Sequence, residues 1–133
     1  MKNPGDIVTV KDLEDSWIEV LDTFDRFIEA GRSERPVGLL IRHIINKGYS
    51  KYLYGGSAIW FLLISLPKEM TVDYTKTLRI EANWQTSTIR FMYHCELPRP
   101  KKPDWYETCQ FIKIIDTFEY FLTINDEWKN IKT

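Results

Sequence analysis

The first third of the chain carries the spacing of an amphipathic helix. Apolar side chains recur there at intervals of three and four residues, which places them along one stripe of a helix. They are Leu13, Trp17, Val20, Leu21, Phe24, Phe27 and Ile28. Thr9, with Asp12 three residues later, predicts a capping box at the start, and Gly31 predicts a left-handed stop.

A second helical pattern follows the polar loop at residues 32–35. Pro36 suits a first helical turn because it has no amide hydrogen to lose. Apolar residues then repeat at helical spacing from Val37 to Ile45, and Gly48 closes the element. A strand over residues 39–45 is the alternative, and the period favours the helix.

Extended structure is predicted after the second helix. The glycines and tyrosines of residues 49–57 are typical of a loop or a short extended segment. The apolar run at residues 58–66 predicts one strand that is buried on both faces or central in a sheet. Alternating segments at residues 77–84 and 89–96, joined by a turn at residues 85–87, predict an antiparallel hairpin with one wet face.

The last third of the chain contains a proline-rich segment followed by two further predicted elements. Pro98, Pro100 and Pro103 predict an extended loop. Residues 105–114 fit either a strand or a helix, and we expect a strand because a capping box at residues 116–119 predicts a helix after it. Apolar residues of that helix share one face, and they are Phe118, Phe121, Leu122 and Trp128.

These elements predict a single α+β domain over residues 1–133. The order is α-α-β-β-β-β-α, with a mainly antiparallel four-stranded sheet packed by helices. Short links between successive strands favour that arrangement over a parallel sheet.

Composition narrows the class of protein. The 133 residues include 18 Lys and Arg against 19 Asp and Glu, so nothing suggests a strongly basic nucleic-acid-binding protein. We find neither an apolar run long enough for a membrane span nor the pattern of a signal peptide. Cys95 and Cys109 are too few for a disulfide framework, so we expect free thiols and a cytoplasmic protein, although one disulfide between neighbouring strands stays open.

Candidate catalytic and metal-binding groups are sparse. His43 and His94 are the two histidines, and a small nuclease or hydrolase would need one of them for acid-base chemistry. His94 and Cys95 are adjacent on a strand, so their side chains point to opposite faces and do not suit one zinc ion. No phosphate-binding glycine motif is present. We therefore expect no enzyme activity, no metal and no cofactor.

Two surfaces suit a protein partner. The polar side of the first helix carries Asp15, Glu19, Asp22 and Asp25, and such a face either is simply solvated or steers a basic partner. The second surface is the segment with Tyr49, Tyr52 and Tyr54, which either offers aromatic anchors or covers the rim of the core.

Basic residues lie in two other segments. Residues 36–68 contain no acidic residue and hold four cations, and a second basic cluster is predicted in the proline loop. The first segment carries Arg42, Lys47, Lys51 and Lys68, and the second carries Arg99, Lys101 and Lys102. A nucleic-acid adaptor is therefore an alternative, although the signal is thin.

The segment from Ile114 to Leu122 resembles the strand-then-helix ending of small bacterial immunity proteins, in which a short acidic helix has an F-x-x-F-L core. The resemblance covers about the last fifth of the chain and implies a toxin system of the contact-dependent inhibition type or a similar one. It implies a non-enzymatic protein that neutralises a cognate toxin by binding and occluding its active site. The acidic face of the first helix would then meet a basic surface of the toxin.

Overall fold

The computed structural model describes residues 2–32, 34–94 and 103–132. Within these ranges the chain forms three α-helices and five β-strands. In chain order they are α1 (Val10–Glu29), α2 (Arg35–Asn46), β1 (Tyr54–Ala58), β2 (Phe61–Ser65), β3 (Thr77–Asn83), β4 (Thr88–His94), β5 (Trp105–Gln110) and α3 (Ile114–Ile124). Short 3₁₀ turns occur at residues 49–51, 111–113 and 129–132. The predicted α+β class is confirmed, and the sheet has five strands rather than four.

Helix α1 forms as its sequence predicts. The Thr9 side chain accepts a hydrogen bond from the Asp12 amide at 3.1 Å, and the Asp12 carboxylate accepts one from the Thr9 amide at 2.9 Å. After the helix, Gly31 adopts the left-handed conformation with φ 88°. Both ends are therefore determined by local chemistry, and the apolar stripe of the helix faces the core.

Helix α2 is also confirmed, and the alternative strand over residues 39–45 does not form. Pro36 lies in the first turn, and Gly48 has φ 81° beyond the last turn. The side chains that share the inner face are fully buried: Val37, Leu40, Ile41 and Ile44. The helical period of the apolar residues therefore outweighs the β propensity of the isoleucines.

The five strands form one antiparallel sheet in the order β1-β2-β3-β4-β5. The predicted hairpin is confirmed as β3 and β4, in which Ile80 pairs with Phe91 and Leu78 with Tyr93. The inward-facing residues of β2, β3 and β4 join those of the three helices in one core cluster.

The prediction of one strand over residues 58–66 is wrong. Ile59 and Trp60 form a two-residue turn, and strands β1 and β2 pair antiparallel on either side of it, with Ala58 opposite Phe61. Strand β1 comes from the glycine-rich segment that also allowed a loop. It is stabilised by pairing with β2 and packing against α1, which its own sequence does not reveal.

The end of the chain differs from its prediction at both ends of the last helix. Strand β5 is present at residues 105–110, but α3 begins at Ile114, and no side chain caps its start. The predicted capping box at residues 116–119 is therefore wrong, because these residues lie inside the helix. The prediction that Trp128 lies on this helix is also wrong, because α3 ends at Ile124; the Trp128 ring nevertheless packs 5.1 Å from that of Phe121.

Several predictions concern residues outside the described ranges. Cys95 and residues 98–102 of the proline loop are among them, together with their basic cluster. Cys109 lies in the described part as a free, half-buried thiol, and burial raises its pKa. Of the helices that the structure describes, none has the length and apolar character needed to cross a bilayer.

Candidate partner-binding surfaces

The outward face of α1 is strongly acidic. The helix carries seven carboxylates against the two cations Lys11 and Arg26. The carboxylates are Asp12, Glu14, Asp15, Glu19, Asp22, Asp25 and Glu29. Because Asp15, Glu19 and Asp22 follow at intervals of four and three, they share the exposed face opposite the buried stripe. We call Asp15, Glu19 and Asp22 the acidic face.

Two members of the acidic face have intrahelical ion pairs. Lys11 lies 2.7 Å from Asp15, and Arg26 lies 2.6 Å from Asp22. Such exposed pairs contribute little to stability, so a partner's cation can replace them at small cost. Glu19 makes no ion pair within the described residues.

Asp25, unlike the other predicted carboxylates of α1, forms an ion pair with a residue of another helix. Its carboxylate lies 3.3 Å from the guanidinium of Arg42 and thereby links α1 to α2. Arg42 is also the one cation of the acid-free middle segment that belongs to α2 itself, because Lys47, Lys51 and Lys68 lie beyond that helix. The structure therefore spreads the predicted basic segment over several elements.

The three predicted tyrosines do not form one surface. Tyr52 is exposed, whereas Tyr49 and Tyr54 are buried, at 6% and 8% exposure. The ring of Tyr49 lies 6.3 Å from that of Phe118 in the core. The hydroxyl of Tyr54 accepts a hydrogen bond from the Lys2 amide at 3.1 Å. Tyr49 and Tyr54 therefore follow the alternative in which these tyrosines cover the rim of the core.

Tyr54 nevertheless lies beside the acidic face. A hollow of about 360 Å³ is lined by Tyr54 together with Asp15 and Glu19, and its remaining lining residues are Lys2, Asp12 and Ser16. The structure thus brings one predicted tyrosine to two of the predicted carboxylates, although their separation in the sequence gives no indication of it.

His43 belongs to a polar cluster around Glu119. Its Nε2 lies 2.9 Å from one oxygen of Glu119, whereas the other oxygen accepts a hydrogen bond from the Tyr49 hydroxyl at 3.2 Å and lies 3.2 Å from Nζ of Lys132. We call these four residues the Glu119 cluster. It joins α2, α3 and two 3₁₀ turns.

Burial and hydrogen bonding shift the pKa of Glu119 in opposite directions. Burial of the Glu119 carboxyl raises its pKa, but hydrogen bonds from His43, Lys132 and Tyr49 outweigh that effect, so the pKa lies below its ordinary value. Burial, together with the adjacent Glu119, raises the pKa of Tyr49 to about 12. The lower pKa of Glu119 keeps its carboxyl group ionised as an acceptor, and the higher pKa of Tyr49 keeps its hydroxyl group protonated as a donor to that carboxylate.

The other residues considered for chemistry lie elsewhere. His94 is buried at the end of β4, opposite Thr77 in the register of the sheet, whereas His43 lies on α2. In the described ranges, no three His, Cys, Asp or Glu side chains are grouped so that they could hold a metal ion.

The sequence does not reveal a cluster around Trp60. The guanidinium of Arg32 lies 3.4 Å from the centre of the Trp60 ring, and Phe27 meets that ring edge-on at 5.0 Å between centroids. Arg32 also donates from Nε to the buried Glu34 at 2.7 Å. In the sequence, Arg32 lies in a charged loop and Trp60 lies within an apolar run, and neither feature predicts that the two side chains are in contact.

Comparisons with protein-family models, curated proteins and solved structures find no match to this chain.

Proposed function

We propose that the protein is a non-enzymatic immunity protein that binds a cognate bacterial toxin in the cytoplasm and occludes its active site. The observation that carries the proposal is the acidic face: Asp15, Glu19 and Asp22 project from a helix whose opposite side is locked into the core. A rigid helix presents charges in a fixed pattern, so little conformational entropy is lost when a partner binds.

The charge of α1 suits a basic toxin surface. Seven carboxylates against two cations leave the helix strongly negative, whereas the whole chain has a net charge of only -1. A concentrated negative field speeds the encounter with a positive partner and makes the association rate depend on salt. Purely structural helices more often interleave charges of both signs on their exposed face.

The proposal predicts that a toxin domain is encoded next to this reading frame, and the test uses that domain. Expression of that domain in a host should arrest growth, and coexpression of the protein should restore it. The triple variant Asp15→Lys, Glu19→Lys, Asp22→Lys should bind the purified toxin domain with a markedly slower association rate and a weaker dependence on salt. Stopped-flow measurements at low and at physiological ionic strength give both quantities.

A matched control carries the same change of charge elsewhere. Asp116 and Asp126 form exposed pairs with Lys113 and Lys129 three residues away, and Glu107 is exposed on β5. Their reversal to lysine should leave the association rate nearly unchanged. Equal slowing by both triple variants would show that only net charge matters, and failure of the protein to restore growth would reject the immunity function.

The contact between His43 and Glu119 favours a second candidate, a small hydrolase or nuclease. A carboxylate 2.9 Å from a histidine Nε2 orients the ring in the way that acid-base catalysts require. The double variant His43→Ala, His94→Ala tests this candidate against RNA, DNA and ester substrates. Activity that the double variant retains would exclude a role for either histidine.

A further inference from the structure

A second cavity differs in its lining residues from the hollow beside the acidic face. It has a volume of about 430 Å³ and is bounded by the end of α1, the start of α2 and the turn before α3. The charged residues of its lining are Arg32 and Arg35, and the remaining walls are Ile28, Gly31, Pro36 and Phe111. We call this space the arginine cavity. It combines two cations with apolar walls.

Arg32 is held in place before any ligand arrives. Its guanidinium stacks on the ring of Trp60 at 3.4 Å, and its Nε donates to Glu34 at 2.7 Å. Glu34 is only 2% exposed, and its second oxygen has no hydrogen-bond partner among the described residues. A guanidinium has five N–H groups, so one bond to Glu34 leaves others for a ligand. The fixed position lowers the entropy that binding would cost.

Glu34 balances the charge of Arg32, so the net positive charge of the cavity comes from Arg35. Arg35 is exposed and forms no ion pair in the described part of the chain. It also lines a neighbouring groove of about 270 Å³, in which Arg42 is paired with Asp25. The arginine cavity therefore keeps the positive charge of Arg35, whereas the charges of Arg42 and Asp25 in the groove balance each other.

Two exposed apolar side chains are next in the sequence to Trp60, which contacts Arg32, and to Phe111, which lines the arginine cavity. Ile59 at the β1–β2 turn is 73% exposed, and Ile112 in the turn after β5 is 83% exposed. In the antiparallel order of the sheet, both turns lie at the same end, where Gln110 pairs with Thr88 and Ala58 with Phe61. Trp60 contributes a further partly exposed ring there. Tryptophan and arginine are the residue types most enriched at binding hot spots.

We infer that the arginine cavity binds a carboxylate of a partner protein that lies next to an apolar side chain. Arginine forks match carboxylates in geometry and charge, and the apolar walls suit the adjoining apolar side chain. The exposed Ile59 and Ile112 extend the contact beyond the size of a small molecule, which favours a polypeptide segment. The arginine cavity suits a negatively charged group, whereas the acidic face suits a positively charged one. The inference therefore does not depend on the proposed function.

The test uses three acetylated pentapeptides. Gly-Ser-Gly-Phe-Leu with a free carboxyl terminus and its amide differ only in one carboxylate, and the amide of Gly-Ser-Glu-Phe-Leu moves the carboxylate to a side chain. The indole N–H resonance of Trp60, identified by its loss in Trp60→Phe, reports binding. We expect at least one carboxylate peptide to bind about tenfold more tightly than the uncharged amide. The tighter of the two shows whether the terminus or a side chain is preferred.

Arg35→Gln is the decisive variant because it removes no described bond of the fold, whereas Arg32→Gln also deprives the buried Glu34 of its cation. Arg35→Gln should weaken the carboxylate peptides about tenfold and leave the amide unchanged. Arg26→Gln, an exposed arginine on α1, is the matched control and should change neither. Equal binding of all three peptides, no binding of any, or equal effects of both variants would overturn the inference.

Discussion

The indole ring of Trp17 lies directly on the backbone of Gly55. A Cβ placed on Gly55 would be only 2.9 Å from the ring, and Nε1 of Trp17 donates to the Leu53 carbonyl at 2.8 Å. The Gly55 amide in turn donates to the Ser16 hydroxyl at 3.0 Å. Helix α1 and strand β1 are therefore joined at a point where only glycine fits.

Gly55→Ala should destabilise the protein by about 1–3 kcal/mol, because the added methyl group meets a buried aromatic ring that has no free space to move into. Urea unfolding measures the change in the free energy of unfolding. Gly38→Ala is the control, because its Cβ would meet the end of the Ile28 side chain at 3.4 Å and alanine favours the helix by about 1 kcal/mol. The two glycine variants should therefore have opposite signs, and a stable Gly55→Ala would show that the contact is loose.

The Glu119 cluster should make stability depend on acid. Because the pKa of Glu119 in the folded chain lies below its ordinary value of 4.5, its contribution is complete above about pH 4.5 and is lost as the pH falls through the lower folded pKa. Glu119→Gln should therefore flatten the fall in the free energy of unfolding in this acidic range. Asp116→Asn, an exposed carboxylate on the same helix, is the control and should preserve the fall. Identical acid profiles for the native chain and Glu119→Gln would argue against the cluster.

Alkaline pH should act through two tyrosines. Burial, with Glu119 nearby, raises the pKa of Tyr49 to about 12, and burial, with Tyr54 nearby, does the same for Tyr74. The folded state keeps these protons longer than the unfolded state, so stability is complete below about pH 10 and declines as the pH rises towards 12. Urea unfolding at about pH 9 and about pH 11 should show a smaller decline for Tyr49→Phe than for the native chain. Tyr52→Phe, at an exposed position, should decline as the native chain does.

Ile59 is strained in the turn between β1 and β2. Its φ of 56° lies in the left-handed region, which costs a β-branched residue about 1–2 kcal/mol. Ile59→Gly should release this strain and, after the entropy cost of glycine, raise the free energy of unfolding by up to about 1 kcal/mol. Ile59→Ala keeps the strain and should show no such gain. Equal stability of the glycine and alanine variants would mean that the turn relaxes without a glycine.

Local patterns predicted the elements that carry their own start and stop signals. Helix α1 has its capping box at Thr9 and its left-handed glycine, and α2 has Pro36 and Gly48 in the same roles. The β3–β4 hairpin follows from simple alternation of apolar and polar residues. These elements are predictable because each signal lies within a few residues of the structure that it determines.

Strand β1 and the start of α3 could not be predicted in the same way. The glycines of β1 have little preference for a strand, and their conformation depends on pairing with β2 and on the ring of Trp17. The residues within α3 that resemble a capping box place Glu119 against His43 instead. In both cases distant side chains outweigh the local preference.

The sequence by itself determined the α+β class, both N-terminal helices and the acidic face, because helical periodicity alone places Asp15, Glu19 and Asp22 together. Only the tertiary structure decided that Tyr49 and Tyr54 are buried and that Arg32 stacks on Trp60. Those outcomes depend on how helices dock on the sheet. Docking follows from the shapes and volumes of side chains far apart in the chain, which no local pattern records.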